Sequence, residues 1–313
     1  MIISASRRTD IPAFYGEWLM NRLDAGYCEV ANPFNPAQVS RVSLSPEDVD
    51  AIVFWTRYPT TLLNRLGEIR ERGFPVAFLY TIVDYPQELE TAGPPLEKRI
   101  EAFRSIVDVN GPRTAVWRYD PIILSNLTPA AFHRERFAHI ADALSGYVDR
   151  VIISLLQPYR SVVRALSRVP GLRLTAHSTP GTTPGTEPTT PAPAAAPAGT
   201  ELHRLLHDLA ADAAQRGLTV QSCADPRLAA IPGVEPGACI SEELIQAAGA
   251  TPQLRPRSRA ANQRTHCRCL ESRDIGAYET CPFGCRYCYA THGAAKAREN
   301  ARRHDPAAAR LAP

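Results

Sequence analysis

A chain of 313 residues, 44% hydrophobic and 21% charged, has enough apolar side chain for one large core and is neither a disordered nor a fibrous composition. Its net charge of +3 is too small to require an acidic partner, and no apolar run is long enough to cross a bilayer. Residues 1–8 contain no apolar stretch of the kind a secretion signal needs, so the chain reads as a cytoplasmic protein.

Short apolar runs alternate with amphipathic segments from the first residue onward, the pattern of a parallel sheet with helices packed outside it. The spacing predicts strands over 2–6, 51–55, 76–81, 114–118, 151–155 and 218–223. Ile100, Phe103 and Val107, and then Leu202, Leu205, Leu206 and Leu209, repeat at helical spacing. Ser45 before Pro46 and Thr128 before Pro129 are N-cap and first-turn signals. Cys28 reads as a buried free thiol at a helix end. Residues 178–200 are almost wholly Pro, Thr, Ala and Gly and read as a disordered surface insertion, with a linker between two domains as the alternative. A last strand is expected over 274–280, then a cysteine-rich loop, then a helix over 293–303. The expected fold is a single α/β domain over 1–313, a partial or permuted (β/α) barrel of about six to seven parallel strands whose cluster-binding βα unit lies at the C-terminus.

Active sites of α/β barrels sit at the carboxyl ends of the strands. Those ends carry Ser6, Arg7, Arg8, Thr9 and Asp10, then Trp55, Thr56 and Arg57, then Tyr80 and Thr81, then Arg118 and Asp120, then Cys223 and Asp225. Arginine there can bind a carboxylate through paired N–H donors, and aspartate can hold a hydroxyl or amine. The structural alternative is a set of ion pairs that brace loops. Asp10 and Asp120 also stand beside prolines, where aspartate forms turns. Trp55 and Trp117 can stack on a ligand ring or simply fill the core.

Five of the eight cysteines fall between Cys267 and Cys288, clustering that favours metal over disulfides in a reducing compartment. Cys281, Cys285 and Cys288 have CxxxCxxC spacing, which supplies three ligands of a [4Fe-4S] cluster and leaves one iron open. A structural zinc knuckle is the alternative, although zinc sites usually take paired cysteines and four ligands. Cys267 and Cys269, with Cys223 and Cys239, make a second set for another cluster or for zinc, and His266 can replace one of them. Residues 267–288 thus form an iron-sulfur cysteine segment. Arg255, Arg257, Arg259, Arg264 and Arg268 make a basic stretch with no interleaved aromatics, a solvated or anion-binding loop before a nucleic-acid surface.

Residues 3–12, 32–35, 53–56, 117–121, 267–269 and 274–276, followed by the cysteine triplet, resemble a bacterial family catalogued as domain of unknown function 1848 over nearly the whole chain. The triplet itself, with Tyr287 before its last cysteine, resembles the radical-SAM signature, and residues 285–290 are similar to the motif of spore photoproduct lyase and its relatives. The resemblance implies a [4Fe-4S] cluster on Cys281, Cys285 and Cys288, S-adenosyl-L-methionine (SAM) with Tyr287 near its adenine, and an electron donor such as flavodoxin or ferredoxin. The motif lies at the end of the chain rather than at its start, and no Gly-Gly-Glu run is present. A permuted barrel would therefore assign the cofactor's amino group to Ser4, Ser6 and Arg7, with Thr56 nearby. Arg8, Asp10, Arg118 and Asp120 are then expected to orient an anionic or small-molecule substrate. The competing expectations are a metal-stapled barrel that captures an anionic ligand without cleaving SAM, and a nucleic-acid repair enzyme.

Overall fold

The computed structural model describes residues 1–175, 199–251, 258–260 and 263–312. The insertion expected at 178–200 therefore lies outside the described residues except for its last two positions.

In chain order the elements are β1 (Ile2–Ala5), α1 (Ile11–Phe14), α2 (Gly16–Ala25), β2 (Tyr27–Asn32), β3 (Asn35–Ser43), β4 (Ala51–Thr56), α3 (Leu66–Glu71), β5 (Val76–Thr81), α4 (Leu96–Asn110), β6 (Ala115–Ile122) and α5 (Ala130–Leu144). There follow β7 (Arg150–Leu155), α6 (Arg160–Leu166), α7 (Glu201–Gln215), β8 (Thr219–Cys223), α8 (Pro226–Ala229), β9 (Val234–Gly237), α9 (Glu242–Ala247), β10 (Arg273–Asp274) and α10 (Ala294–Arg302). Eight strands form one parallel sheet in the order β10-β1-β4-β5-β6-β7-β8-β9, a partial α/β barrel. The C-terminal unit takes the place beside β1, so the last strand in sequence opens the sheet in space.

Alternation along the strands sorts the core into two layers, as a pleated strand must. Ile3, Ile52, Phe54, Phe78, Trp117 and Ile153 face the layer shared with the long helices. Ile2, Val53, Leu79, Val116 and Ile152 face the other side, where Ile240, Leu244 and Ile245 of the α9 region pack against them. The sheet does not close by pairing β9 with β10. The segments flanking those strands meet instead, and Leu270 N donates to Ile240 O at 2.9 Å.

Several local expectations are corrected. Cys28 is buried on strand β2 of an antiparallel β2–β3 hairpin rather than at a helix end. Ser45 and Pro46 open a turn and no helix, with the Ser45 hydroxyl bonded to the Glu47 carboxylate. Thr128 does not cap α5, because its hydroxyl donates to Ile123 O at 2.6 Å. The strand expected over 274–280 stops at Asp274, and the chain beyond it turns away as a loop. The β9 strand, short and interrupted by Pro236, raises the strand count to eight. No helix among the described residues is long and apolar enough to cross a membrane.

One core residue makes stability depend on acidity. His133 on α5 is wholly buried, with Nδ1 2.9 Å from the Tyr119 hydroxyl and Nε2 3.0 Å from Ile123 O. A carbonyl only accepts, so Nε2 carries the proton and Nδ1 accepts from Tyr119. Burial, opposed by the bond to Ile123, lowers the His133 pKa to about 4, whereas an unfolded histidine titrates near roughly 6.5. Between those values the unfolded chain binds the extra proton. The contribution of the neutral ring is therefore complete above the upper value and is lost as pH falls toward the lower one, by up to ~1.4 kcal/mol per pH unit. An NMR titration of the folded chain is expected to keep this ring neutral down to about pH 4; an ordinary histidine titration would refute the assignment.

Candidate active site

Asp274 ends β10 where that strand pairs with β1, and its carboxylate gathers the chain around it. Oδ2 accepts from the Ser4 hydroxyl at 3.0 Å and from Arg7 N at 2.7 Å, while Oδ1 accepts from the Ser6 hydroxyl at 2.8 Å and Gly276 N at 3.0 Å. Arg8 Nε lies 3.8 Å from Oδ1. Ser4, Ser6 and the Arg7 backbone, expected to serve a cofactor, thus first serve to tie β1 to β10. The approach at Gly276 requires glycine, because a Cβ there would lie 1.9 Å from the Ser6 hydroxyl oxygen. Asp274 lies in the 274–276 segment, but nothing local in the sequence marks its carboxylate as an anchor for residues some 270 positions away.

The three-cysteine loop leaves from this anchor and is clamped to the loop after β5. Arg286 N donates to Leu89 O at 2.9 Å, and the Thr91 hydroxyl donates to Gly284 O at 3.1 Å. Gly284 adopts φ of 71° and has no room for a side chain, since a Cβ would meet the Thr91 hydroxyl at 2.3 Å. Tyr287 is buried, edge-on to Tyr85, with its hydroxyl donated to Glu90. Arg57, following β4, donates to the Tyr287 oxygen at 2.8 Å and to Glu90 Oε1 at 2.5 Å. Arg99 Nη1 stands 3.6 Å from the other Glu90 oxygen and its Nη2 is 2.9 Å from Asp84. The sequence of charges Asp84, Arg99, Glu90, Arg57 alternates in sign beneath the loop. Glu90, Arg99 and Asp84 carried no motif, and only the fold brings them together.

Burial pushes the Cys285 thiol up to about 12, with Arg57 opposing the shift, and raises Cys281 and Cys288 as well. Ala290 N nevertheless donates to Cys288 Sγ at 3.4 Å, and the Arg57 guanidinium acts electrostatically on Cys285 and Cys288. Three thiols on one loop, with an N–H donor on Cys288 and a buried guanidinium near Cys285 and Cys288, suit an anionic iron-sulfur group: that donor and Arg57 favour the deprotonated form that a metal needs. As they stand, no three or more His, Cys, Asp or Glu side chains among the described residues are arranged so that they could hold a metal ion.

Asp10 lies under the loop. It accepts from Arg57 N at 2.7 Å and Ala13 N at 3.0 Å, and burial outweighs these bonds to raise its pKa to about 7. It caps α1 and carries the chain after β4, and Thr56 bonds to it as well. The other strand-end residues assemble apart from it. Trp55 is flanked by the guanidinium groups of Arg7 and Arg118, 4.9 and 4.8 Å from its ring centre. Arg118 pairs with Asp120, whose other oxygen accepts from the Ser154 hydroxyl. Arg7 Nη2, Arg118 Nε and Trp55 Nε1 are buried donors with no hydrogen-bond partner among the described residues. Arg8 reaches out over Tyr278, 5.4 Å from its ring centre. Trp117 is core. Tyr289 connects loop and mouth, since its hydroxyl donates to Arg7 O at 2.7 Å and its electrostatic neighbours include Cys288 and Arg118.

Cys223, Cys239, Cys267 and Cys269 meet elsewhere, where the segments beside β9 and β10 join, with Cys223 Sγ 3.4 Å from Cys239 Sγ. Of the basic stretch, Arg255 and Arg257 lie outside the described residues, Arg268 donates weakly to Pro236 O at 3.4 Å, and Arg264 reaches the Cys223 sulfur at 3.2 Å.

Residues 2–290 match a family described as "Domain of unknown function (DUF1848)". Neither the curated proteins nor the solved structures contain a match. The matched span runs from β1 through the last of the three loop cysteines and takes in every strand of both sheets. The chain is a member of the DUF1848 family.

Proposed function

We propose that this protein is a radical-SAM-like iron-sulfur enzyme acting on an anionic substrate held at the barrel mouth. The observation that carries the reading is the three-cysteine loop: Cys281, Cys285 and Cys288 share one loop clamped to Leu89 and Thr91, with an N–H donor on Cys288, and four of the other five cysteines are gathered at a different site. Cys281, Cys285 and Cys288 would hold a [4Fe-4S] group with one iron open to SAM, and the chemistry it would supply is one-electron reduction of the sulfonium, giving methionine and a 5′-deoxyadenosyl radical. Arg57 offsets the negative charge brought by the thiolates, and the Asp274 bonds hold Ser4, Ser6 and Arg7 beside the loop. Arg7, Trp55 and Arg118 offer three unpartnered donors to an anion, and Asp120 orients Arg118. Flavodoxin or ferredoxin is the class of electron donor such a site needs.

The same three donors favour a second reading, an anion-binding barrel whose metal only braces the loop. The two readings separate in one experiment. After anaerobic iron and sulfide reconstitution, the chain is reduced with dithionite in the presence of SAM and 5′-deoxyadenosine is counted per protein. Its formation is the expected result. A reducible cluster that leaves SAM intact overturns the proposal in favour of anion binding.

A further inference from the structure

Four cysteines outside the loop remain to be explained. Cys223 ends β8, Cys239 follows β9, and Cys267 and Cys269 lie in the segment that leads to β10. Separated by up to 46 positions in sequence, they come together where the sheet fails to close. Cys223 Sγ is 3.4 Å from Cys239 Sγ, Cys269 is buried in the same cluster and Cys267 packs against it. Cys223, Cys239 and Cys269 are buried, and Cys267 is partly so.

Buried cysteines often act only as small apolar side chains. The surroundings here are wrong for that role, because the sulfurs face one another and face cations. Arg264 Nη2 lies 3.2 Å from Cys223 Sγ, and Ile240 N points at Cys269 Sγ from 3.5 Å. Arg118 acts electrostatically on Cys223, Arg150 on Cys239 and Cys269, and Arg7 on Cys269. Arg150 also fixes the Cys239 loop through Ala238 O at 3.3 Å. Four thiolates around a divalent ion carry a net charge of about −2, and N–H···S bonds with nearby guanidinium groups are what such a site needs around it.

We propose that Cys223, Cys239, Cys267 and Cys269 together bind one zinc ion, which ties the β8–β9 edge of the sheet to the segment entering β10. The close Cys223–Cys239 contact argues against a second cubane cluster. A tetrahedral ion with metal–sulfur bonds of about 2.3 Å sets its sulfurs about 3.8 Å apart, close to the Cys223–Cys239 contact. In a cubane cluster each thiolate binds its own iron, and the sulfurs stand apart by the width of the cluster. Zinc is preferred to iron(II) at a thiolate site of this kind by the order of divalent affinities. Binding requires the four thiols to lose their protons and turn about the ion. The staple lies where Leu270 and Ile240 make the hydrogen bond that substitutes for strand pairing, and it fixes the approach to Asp274 from behind.

The test uses the full chain with Cys281, Cys285 and Cys288 all changed to Ser, which silences the loop without touching these four thiols. After growth with zinc and dialysis, about one zinc per chain is expected, released as a mercurial reagent titrates these four of the five remaining thiols, the fifth being the buried Cys28. Adding Cys267→Ser and Cys269→Ser is expected to reduce zinc to background. Because that variant can fail to fold, the parent is also loaded with cobalt(II), whose tetrahedral ligand-field bands and sulfur-to-cobalt charge transfer report a four-thiolate site directly. Iron with inorganic sulfide in the loop-silenced chain overturns the proposal in favour of a second cluster. A metal-free Cys223–Cys239 disulfide, or four freely reactive thiols with no metal, overturns it in favour of a redox pair or simple packing. The outcome is independent of SAM cleavage, which rests on the other three cysteines.

Discussion

Changing Cys285 to Ala is expected to abolish cluster assembly and, with it, all SAM cleavage above background. Cys285 sits in the middle of the loop, bridged to Glu90 and within electrostatic reach of Cys281 and Cys288. A group held by three thiolates keeps only two when one is removed, and Cys223, Cys239, Cys267 and Cys269 are gathered in a separate cluster and cannot substitute. Iron measured after reconstitution should fall from about four per chain to background, together with the sulfur-to-iron absorbance. The fold should survive, because alanine is the smaller residue and the loop keeps its backbone bonds through Leu89 and Thr91. Cys28→Ala is the matched control: Cys28 is buried on β2, away from the loop, and its loss should leave iron untouched. Retention of iron and of 5′-deoxyadenosine formation by the Cys285 variant would sink the assignment of the loop.

The sheet was legible because buried parallel strands are continuous apolar runs bounded by polar or turn residues. Residues 76–81 form β5 as read, and β1, β4, β7 and β8 differ from their expected spans by one residue at an end. β6 runs on to Ile122, since Arg118 and Asp120 keep extended backbone while their side chains pair. What escaped was structure without such runs. β9 has four residues and a proline. In the β2–β3 hairpin the alternation of buried Cys28 and Val30 with half-buried neighbours was the available signal, but the connection through Pro33 and Phe34 lacks the glycine turn that marks a hairpin. The strand-end polar residues were legible as a class, whereas their partners were not. Asp274 with Ser4 and Ser6, and Glu90 with Arg57 and Tyr287, are pairings set by tertiary contact, and one sequence holds no record of them.

Glu90→Ala is expected to be the most destabilising single change near the site, at about 3 to 5 kcal/mol, the usual cost of removing one partner from a buried ion pair. The Glu90 side chain is 8% exposed and holds Arg57, Arg99 and the Tyr287 hydroxyl at once. Its removal leaves the Arg57 charge buried without its carboxylate partner and the Tyr287 hydroxyl without its acceptor, while Arg57 keeps only the Tyr287 oxygen and Arg99 keeps Asp84 at 2.9 Å. Urea unfolding should show a lower midpoint at unchanged slope. Glu90→Gln retains an acceptor and removes only the charge, so it should cost less. In the double variant Glu90→Gln, Arg57→Gln part of the loss should return, because no unpaired charge is left behind. The effect should reach the cysteines as well: Tyr287 lies between Cys285 and Cys288 in the chain, and its hydroxyl is a peg that fixes the loop to the barrel. Iron retention in the Ala variant should therefore fall together with stability, even though every thiol is intact. A loss of under about 1 kcal/mol, the size of an exposed pair, would mean that water reaches these groups and that the loop is held by its backbone bonds alone.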